Sequence, residues 1–242
     1  MFRNSALAVI FILSSGVANA QAEPEPEEET GPWSGSASLG FLSTSGNTET
    51  TSYNAAFAIA YTRNKWTHEF NAAANGADES KNTTAEAYQA AWKSSYNWNE
   101  HSYLFGLIDW RKDRFSGVPQ QLSETLGYGR RLINTPVHAL NAELGAGHRS
   151  SDLSDGTSES GAIGRGALAY TWTFTETSNF QQDLIVEAGS DNTFVESVSA
   201  VRARLLGEFA LVLSYTVRHN TDVPAGSLNT DKLTAIALEY AF

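Results

Sequence analysis

The chain has 242 residues, no cysteine and a formal charge of -11, which excludes a disulfide framework and a cysteine metal site and argues against a nucleic-acid partner. With 41% hydrophobic residues and a mean hydropathy of -0.29 it is too polar for a bundle of membrane helices. A membrane barrel has unremarkable hydropathy, because half of each strand faces a polar lumen.

The first twenty residues read as a targeting segment. Arg3 lies in a short positive region, Ala6 to Leu13 is apolar, and Ala18-Asn19-Ala20 is a small-x-small cleavage site, so a signal peptide cleaved after Ala20 is expected. The apolar run is too short to span a bilayer. In residues 21–32, Glu23, Glu25, Glu27, Glu28 and Glu29 repel one another while Pro24 and Pro26 block regular structure, which predicts a disordered acidic linker.

From Trp33 the chain alternates with period 2, the pattern of strands with one greasy and one small or polar face. Trp33, Ala37, Leu39 and Phe41 oppose Ser34, Ser36 and Ser38, and a turn-rich stretch from Ser43 to Thr48 follows. Tyr53, Phe57, Ile59 and Tyr61 alternate with Asn54, Ala56, Ala58 and Ala60, giving an apolar band with a Tyr at each end, as an outer face crossing hydrocarbon requires. The third strand sets Trp66, His68 and Phe70 against Glu69, Asn71 and Ala73, and Gly76 to Thr83 reads as a polar loop. The fourth sets Tyr88, Trp92 and Tyr96 against Gln89, Ala91 and Lys93.

The fifth, Tyr103 to Asp113, is apolar on both parities; placing Leu104, Ile108 and Trp110 outward turns Asp109 and Arg111 inward. The sixth presents Leu122, Leu126, Tyr128 and Leu132 outward. The seventh sends Glu143 inward, and Ser150 to Gly161 reads as a long loop. The eighth sends Arg165, Ala167 and Ala169 inward, and the ninth Asp183 and Glu187. The tenth, about Phe194 to Leu205, changes parity midway, which suggests a bulge. The eleventh turns Phe209, Leu211, Leu213 and Tyr215 outward, and the twelfth Thr234, Ile236, Leu238, Tyr240 and Phe242.

Twelve strands with short turns on one side and longer loops mostly on the other predict an all-β, antiparallel transmembrane outer-membrane β-barrel over residues 33–242. In such a barrel the twelfth strand pairs with the first. Tyr240 and Phe242 then fall in the periplasmic aromatic girdle, where they resemble the carboxy-terminal signature read by the outer-membrane assembly machinery. The other expected partners are outer-membrane lipids and lipopolysaccharide. Loop acids such as Asp78, Asp152, Asp155, Asp191 and Asp222 could hold lipopolysaccharide-bridging cations, but they lack calcium-loop spacing and fit ordinary solvated loops better.

Three segments resemble a known family. Residues 33–41 followed by Ser45-Gly46-Asn47-Thr48 resemble its opening hairpin. Asp113-Arg114-Phe115-Ser116-Gly117 resembles the motif ending its fifth strand, and Ser123-Glu124-Thr125-Leu126-Gly127-Tyr128-Gly129 the strand after it. The family is the domain-of-unknown-function family 481, whose members often carry the label of salt-induced outer membrane proteins. The resemblance implies a barrel in a Gram-negative outer membrane and supplies no reaction, no cofactor and no role for Asp113, Arg114 or Glu124.

The inward charges alternate in sign across neighbouring strands: Glu69 and Lys93, then Glu143, Arg165, Asp183 and Glu187, Arg202 and Arg204. They fit a constriction that selects ions or small solutes, or paired side chains that plug and stiffen a small barrel. Alanine-rich inward rows (Ala56, Ala58, Ala60) leave space and favour a pore. A salt-stress role as an envelope structural protein fits the plugged form. The rival class is an outer-membrane lipid hydrolase built from His148, Ser158 and Ser160 on the outward face. Loops are rich in Ser regardless, so no catalytic residue is assigned. No zinc motif or phosphate-binding glycine loop is present, and no metal or cofactor is expected.

Overall fold

The computed structural model describes residues 31–44, 50–80 and 82–242. The expected signal peptide, nearly all of the acidic linker, and Gly46, Asn47 and Thr48 lie outside the described residues. Twelve strands follow: β1 (Trp33–Thr44), β2 (Thr50–Arg63), β3 (Trp66–Glu79), β4 (Asn82–Asn97), β5 (Ser102–Asp113), β6 (Gln120–Asn134), β7 (His138–Asp152), β8 (Ser158–Thr175), β9 (Ser178–Gly189), β10 (Thr193–Leu206), β11 (Phe209–Asn220) and β12 (Thr230–Ala241). Each pairs antiparallel with its neighbours in sequence, and β1 pairs with β12 to close the barrel. β1 starts and β12 ends at one rim, which also holds the turns 64–65, 98–101, 135–137, 176–177 and 207–208; this is the short-turn, periplasmic side.

The period-2 pattern sorts the side chains as expected. Leu39, Phe57, Trp92, Ile108, Leu126, Leu144, Leu213 and Ile236 are exposed on the outside, while Ser38, Asn54, Asp109, Arg111, Glu143, Arg165 and Glu187 are buried within. An aromatic girdle marks the periplasmic rim. Trp33 packs on Tyr61 at 4.6 Å between ring centroids, Trp66 on Tyr96 at 5.1 Å, and Phe209 on Tyr240 at 5.0 Å. β5 takes the orientation that turns Asp109 and Arg111 inward.

Two expectations need correction. Residues 76–83 and 150–161 are not loops: β3 runs to Glu79 and β4 resumes at Asn82, while β7 runs to Asp152 and β8 resumes at Ser158. Beyond the hydrocarbon both faces meet water, so alternation fades although the hydrogen-bond ladder continues. The turn left between β7 and β8 is held by Asp155, which accepts from the Thr157 hydroxyl (2.6 Å) and backbone N–H (2.9 Å). Those bonds hold its carboxyl below the usual range.

β10 does not change parity midway. Phe194, Glu196, Val198, Ala200 and Arg202 all face inward, and the register slips only between Arg204 and Leu206. The sequence misleads because Phe194 and Val198 are lumenal while Ser197 and Ser199 face lipid. Both serines bond the outward Gln182 of β9: its Nε2 donates to Ser197 Oγ (3.0 Å), and Ser199 Oγ donates to its Oε1 (2.5 Å). Paired polar groups are tolerated in hydrocarbon where orphans are not.

The closing seam is short. β1 pairs with β2 along its whole length, but with β12 only from Ser36–Ala241 to Leu39–Leu238. Two further bonds extend the seam, Gly35 N–H to Phe242 O (2.8 Å) and Phe242 N–H to Gly35 O (2.9 Å). A Cβ at Gly35 would sit 2.7 Å from the Phe242 ring and 2.6 Å from Ala58 O, so this glycine is set by close approach. Gly35→Val should overpack the seam by roughly 1–3 kcal/mol and lower the temperature at which the barrel loses its compact, heat-modifiable migration on gels. An unchanged transition would contradict this account of closure.

Candidate functional site: the lumen

The lumen is divided by side-chain size. Alanines on β3 and β4 meet those of β12: Ala73 packs against Ala237 with Ala56 alongside, and Ala87 against Leu233 and Ala235. Of the alanine row expected to leave space, Ala56 instead packs against this cluster. A methyl group is short enough for facing walls to touch, and in this half they do.

Long charged side chains fill the other half. Glu143 on β7 binds Lys93 of β4, accepts from Tyr103 OH of β5 (2.7 Å), and accepts from Arg165 Nη1 of β8 (3.0 Å). Glu187 on β9 is 0% exposed. Gln121 Nε2 and Ser123 Oγ of β6 each donate to it at 3.3 Å, and the guanidinium groups of Arg149 and Arg165 lie 3.9 Å away. Arg111 pairs with Asp109 at 2.9 Å and stacks 4.5 Å over Phe194 on the far wall. Arg218 of β11 reaches Glu196 (2.5 Å) and, across the lumen, Gln89 Oε1 of β4 (3.2 Å). In a medium poor in water a charge without its opposite is costly.

Several predicted pairings differ. Glu69 and Lys93 are ladder partners, but the Lys93 ammonium turns to Glu143. Arg202 pairs with Glu239 (2.6 Å) rather than with a β9 acid. Arg204 does not line the lumen; it is exposed at the periplasmic rim, donating to Glu176 O (3.0 Å). The sequence reading missed Arg149, Glu196 and Arg218. Arg149 shares parity with Glu143 but adjoins the stretch expected to be a loop, and the expected parity change in β10 conceals Glu196. Arg218 opposes the outward row of β11, a signal that was available.

Between these pairs lies a cavity of about 120 Å³ lined by residues of β3–β5 and β7–β10, among them Asn71, Lys93, Asn141, Glu143, Asp183 and Glu196. It can hold several waters. Above it, the Asp113–Gly117 motif forms a folded loop. Phe115 N–H donates to Asp113 Oδ1 (3.1 Å), Arg114 Nη1 donates to Glu86 Oε2 (3.0 Å), and Val118 is buried. Ser154 N–H donates to Gly117 O (3.1 Å), and a Cβ at Gly117 would lie 3.0 Å from Ser227, in the β11–β12 loop. The motif thus reaches the loops after β7 and β11, covering the extracellular mouth. Glu124 faces outward and is exposed, opposite His148 in the β6–β7 ladder.

The hydrolase constellation is not assembled. His148 faces Glu124 and Ala162, Ser160 lies opposite Ser150, and Ser158 Oγ donates to Asp152 (2.8 Å). Among the described residues, no group of three His, Cys, Asp or Glu side chains could hold a metal ion.

A family described as "Protein of unknown function, DUF481" matches residues 37–242. The chain belongs to this family. It is 30% identical over 218 residues to the uncharacterized protein YdiY of Escherichia coli strain K12, covering 90% of this chain and 86% of the relative. Solved structures of similar fold include the COG4313 outer membrane channel from Pseudomonas putida F1, with a TM-score of 0.55, 11% identity, and 95% of this chain and 100% of that one covered. The NanC porin superposes with a TM-score of 0.50 and 8% identity over 85% of this chain and 97% of that one. At such identities the likeness bears on the fold, an outer-membrane β-barrel.

Glu143 compensates two cations at once, so Glu143→Ala leaves Lys93 buried without its salt-bridge partner and Arg165 with only the longer contact to Glu187. Breaking a buried pair of this kind costs about 3–5 kcal/mol. The variant should lose heat-modifiable migration at a clearly lower temperature than the wild type, and an equal transition would show that the cluster adds nothing to stability.

Proposed function

We propose that this protein is a narrow outer-membrane channel for small ions and water-sized solutes, its path running through the charged half of the lumen. The observation carrying this reading is the cavity of about 120 Å³ bounded by side chains of both signs. Rows of fixed charge in a narrow polar lumen select among ions. The exported chain, freed of its signal peptide after Ala20, sits among outer-membrane lipids and lipopolysaccharide, and Tyr240 and Phe242 serve as its assembly signal.

A second reading is a filled barrel with a structural role in the envelope, including under salt stress. The contacts that cross the lumen, Arg218 to Gln89 and Arg111 over Phe194, favour it. Planar-bilayer recording separates the two. The channel reading predicts discrete conductance steps, with Arg165→Glu moving the ion preference toward cations. Silence under every voltage and salt condition would leave the filled barrel. The assembly signal has its own check: deleting Phe242 should impair membrane insertion more than any lumen substitution.

A further inference from the structure

Four carboxylates line the cavity, and three of them are neutralised. Asp109 pairs with Arg111, Glu143 with Lys93 and Arg165, and Glu196 with Arg218. Both lining cations, Lys93 and Arg165, are engaged by acids. Asp183 is the fourth carboxylate. Among the described residues it has no salt bridge, and its Oδ2 is shut off from solvent without a hydrogen-bond partner. Its ladder neighbours are Ala169 on β8 and Val198 on β10, which offer no donor. The nearest lumenal positions along β9 and β8 include Ile185 and Ala167, also apolar. Asp183 is therefore the one cavity-lining carboxylate with no counter-ion in contact, on a stretch of wall whose neighbouring side chains are apolar.

Two more oxygen donors face the same space. The side-chain amides of Asn71 on β3 and Asn141 on β7 line the cavity. The inward orientation of both follows from the strand alternation, with Asn71 opposite Ala91 and Asn141 opposite Ala169. Neutral carbonyl oxygens beside one carboxylate can replace part of the hydration shell of a small cation, while the single charge does not hold it permanently. A multivalent metal site needs more carboxylates than this.

We propose that Asp183 is the selectivity-determining residue of the lumen and makes it prefer small monovalent cations, with Asn71 and Asn141 as accessory oxygen donors. This rests on the channel reading. An anion entering the cavity meets a carboxylate without a counter-ion, while both lining cations are already held by acids. A potassium or sodium ion meets the one group in the cavity that lacks a counter-charge.

The test uses the full mature barrel in planar bilayers at pH 8 under a potassium chloride gradient, reading the reversal potential. The wild type should be cation-selective. Asp183→Asn should bring the reversal potential toward zero with little change in conductance, Asp183→Lys should reverse its sign, and Asp183→Glu should retain the wild-type preference. A conducting wild type with anion preference or none overturns the proposal without any variant. So does an Asp183→Asn channel as cation-selective as the wild type. A wild type that never conducts overturns the channel reading and the role of Asp183 with it, so the two failures are distinguishable.

Discussion

Hydrocarbon offers no partner to a backbone N–H or C=O, and this governs the rest of the structure. Every strand must bond on both edges, so the sheet has to close on itself. Closure makes inside and outside strictly alternate along each strand. A chain that carries ionisable groups on its strands must send most of them into the lumen, where space and water are limited. There an unpaired charge is costly, and most of them assemble into the clusters around Glu143 and Glu187. The few polar groups that face lipid satisfy the same demand locally, as Gln182 does with Ser197 and Ser199.

Side-chain size then decides which part of the lumen is wet. From β12 through β4 the inward residues are mainly Ser, Ala, Gly and Asn, and the facing walls meet through methyl groups. Between β4 and β11 long side chains, most of them paired, surround the cavity. The motif loop after β5 covers the outer mouth and touches the loops after β7 and β11. It accounts for a sequence signature that has no catalytic reading: Asp113 and Ser116 hold the turn, and Gly117 lets a neighbouring loop approach.

The barrel was legible because a period of two is a local signal that reports which face meets lipid. Strand number, closure and the outward aromatics followed from it. Strand ends were less legible, because alternation stops at the membrane boundary while the ladder does not, as at Glu79 and Asp152. Parity placed Glu143, Arg165, Asp183 and Glu187 inside, yet it could not tell which charges would meet. Lys93 bypasses its ladder partner Glu69 to reach Glu143 three strands away, a choice made by the three-dimensional curvature of the wall. The packing of Ala56 is hidden for the same reason: a sequence shows the size of a side chain but not how near the opposite wall has come.

The central claim is that one half of the lumen is wet and the other packed. The chain has no native cysteine, so single cysteines introduced into the folded barrel can be probed cleanly with a membrane-impermeant, water-soluble thiol reagent. Ala169→Cys, on the cavity wall, should react readily. Ala73→Cys, packed against Ala237, and Leu144→Cys, on the lipid face, should react slowly or not at all. Equal labelling of Ala73→Cys and Ala169→Cys, or an unreactive Ala169→Cys, would contradict the account.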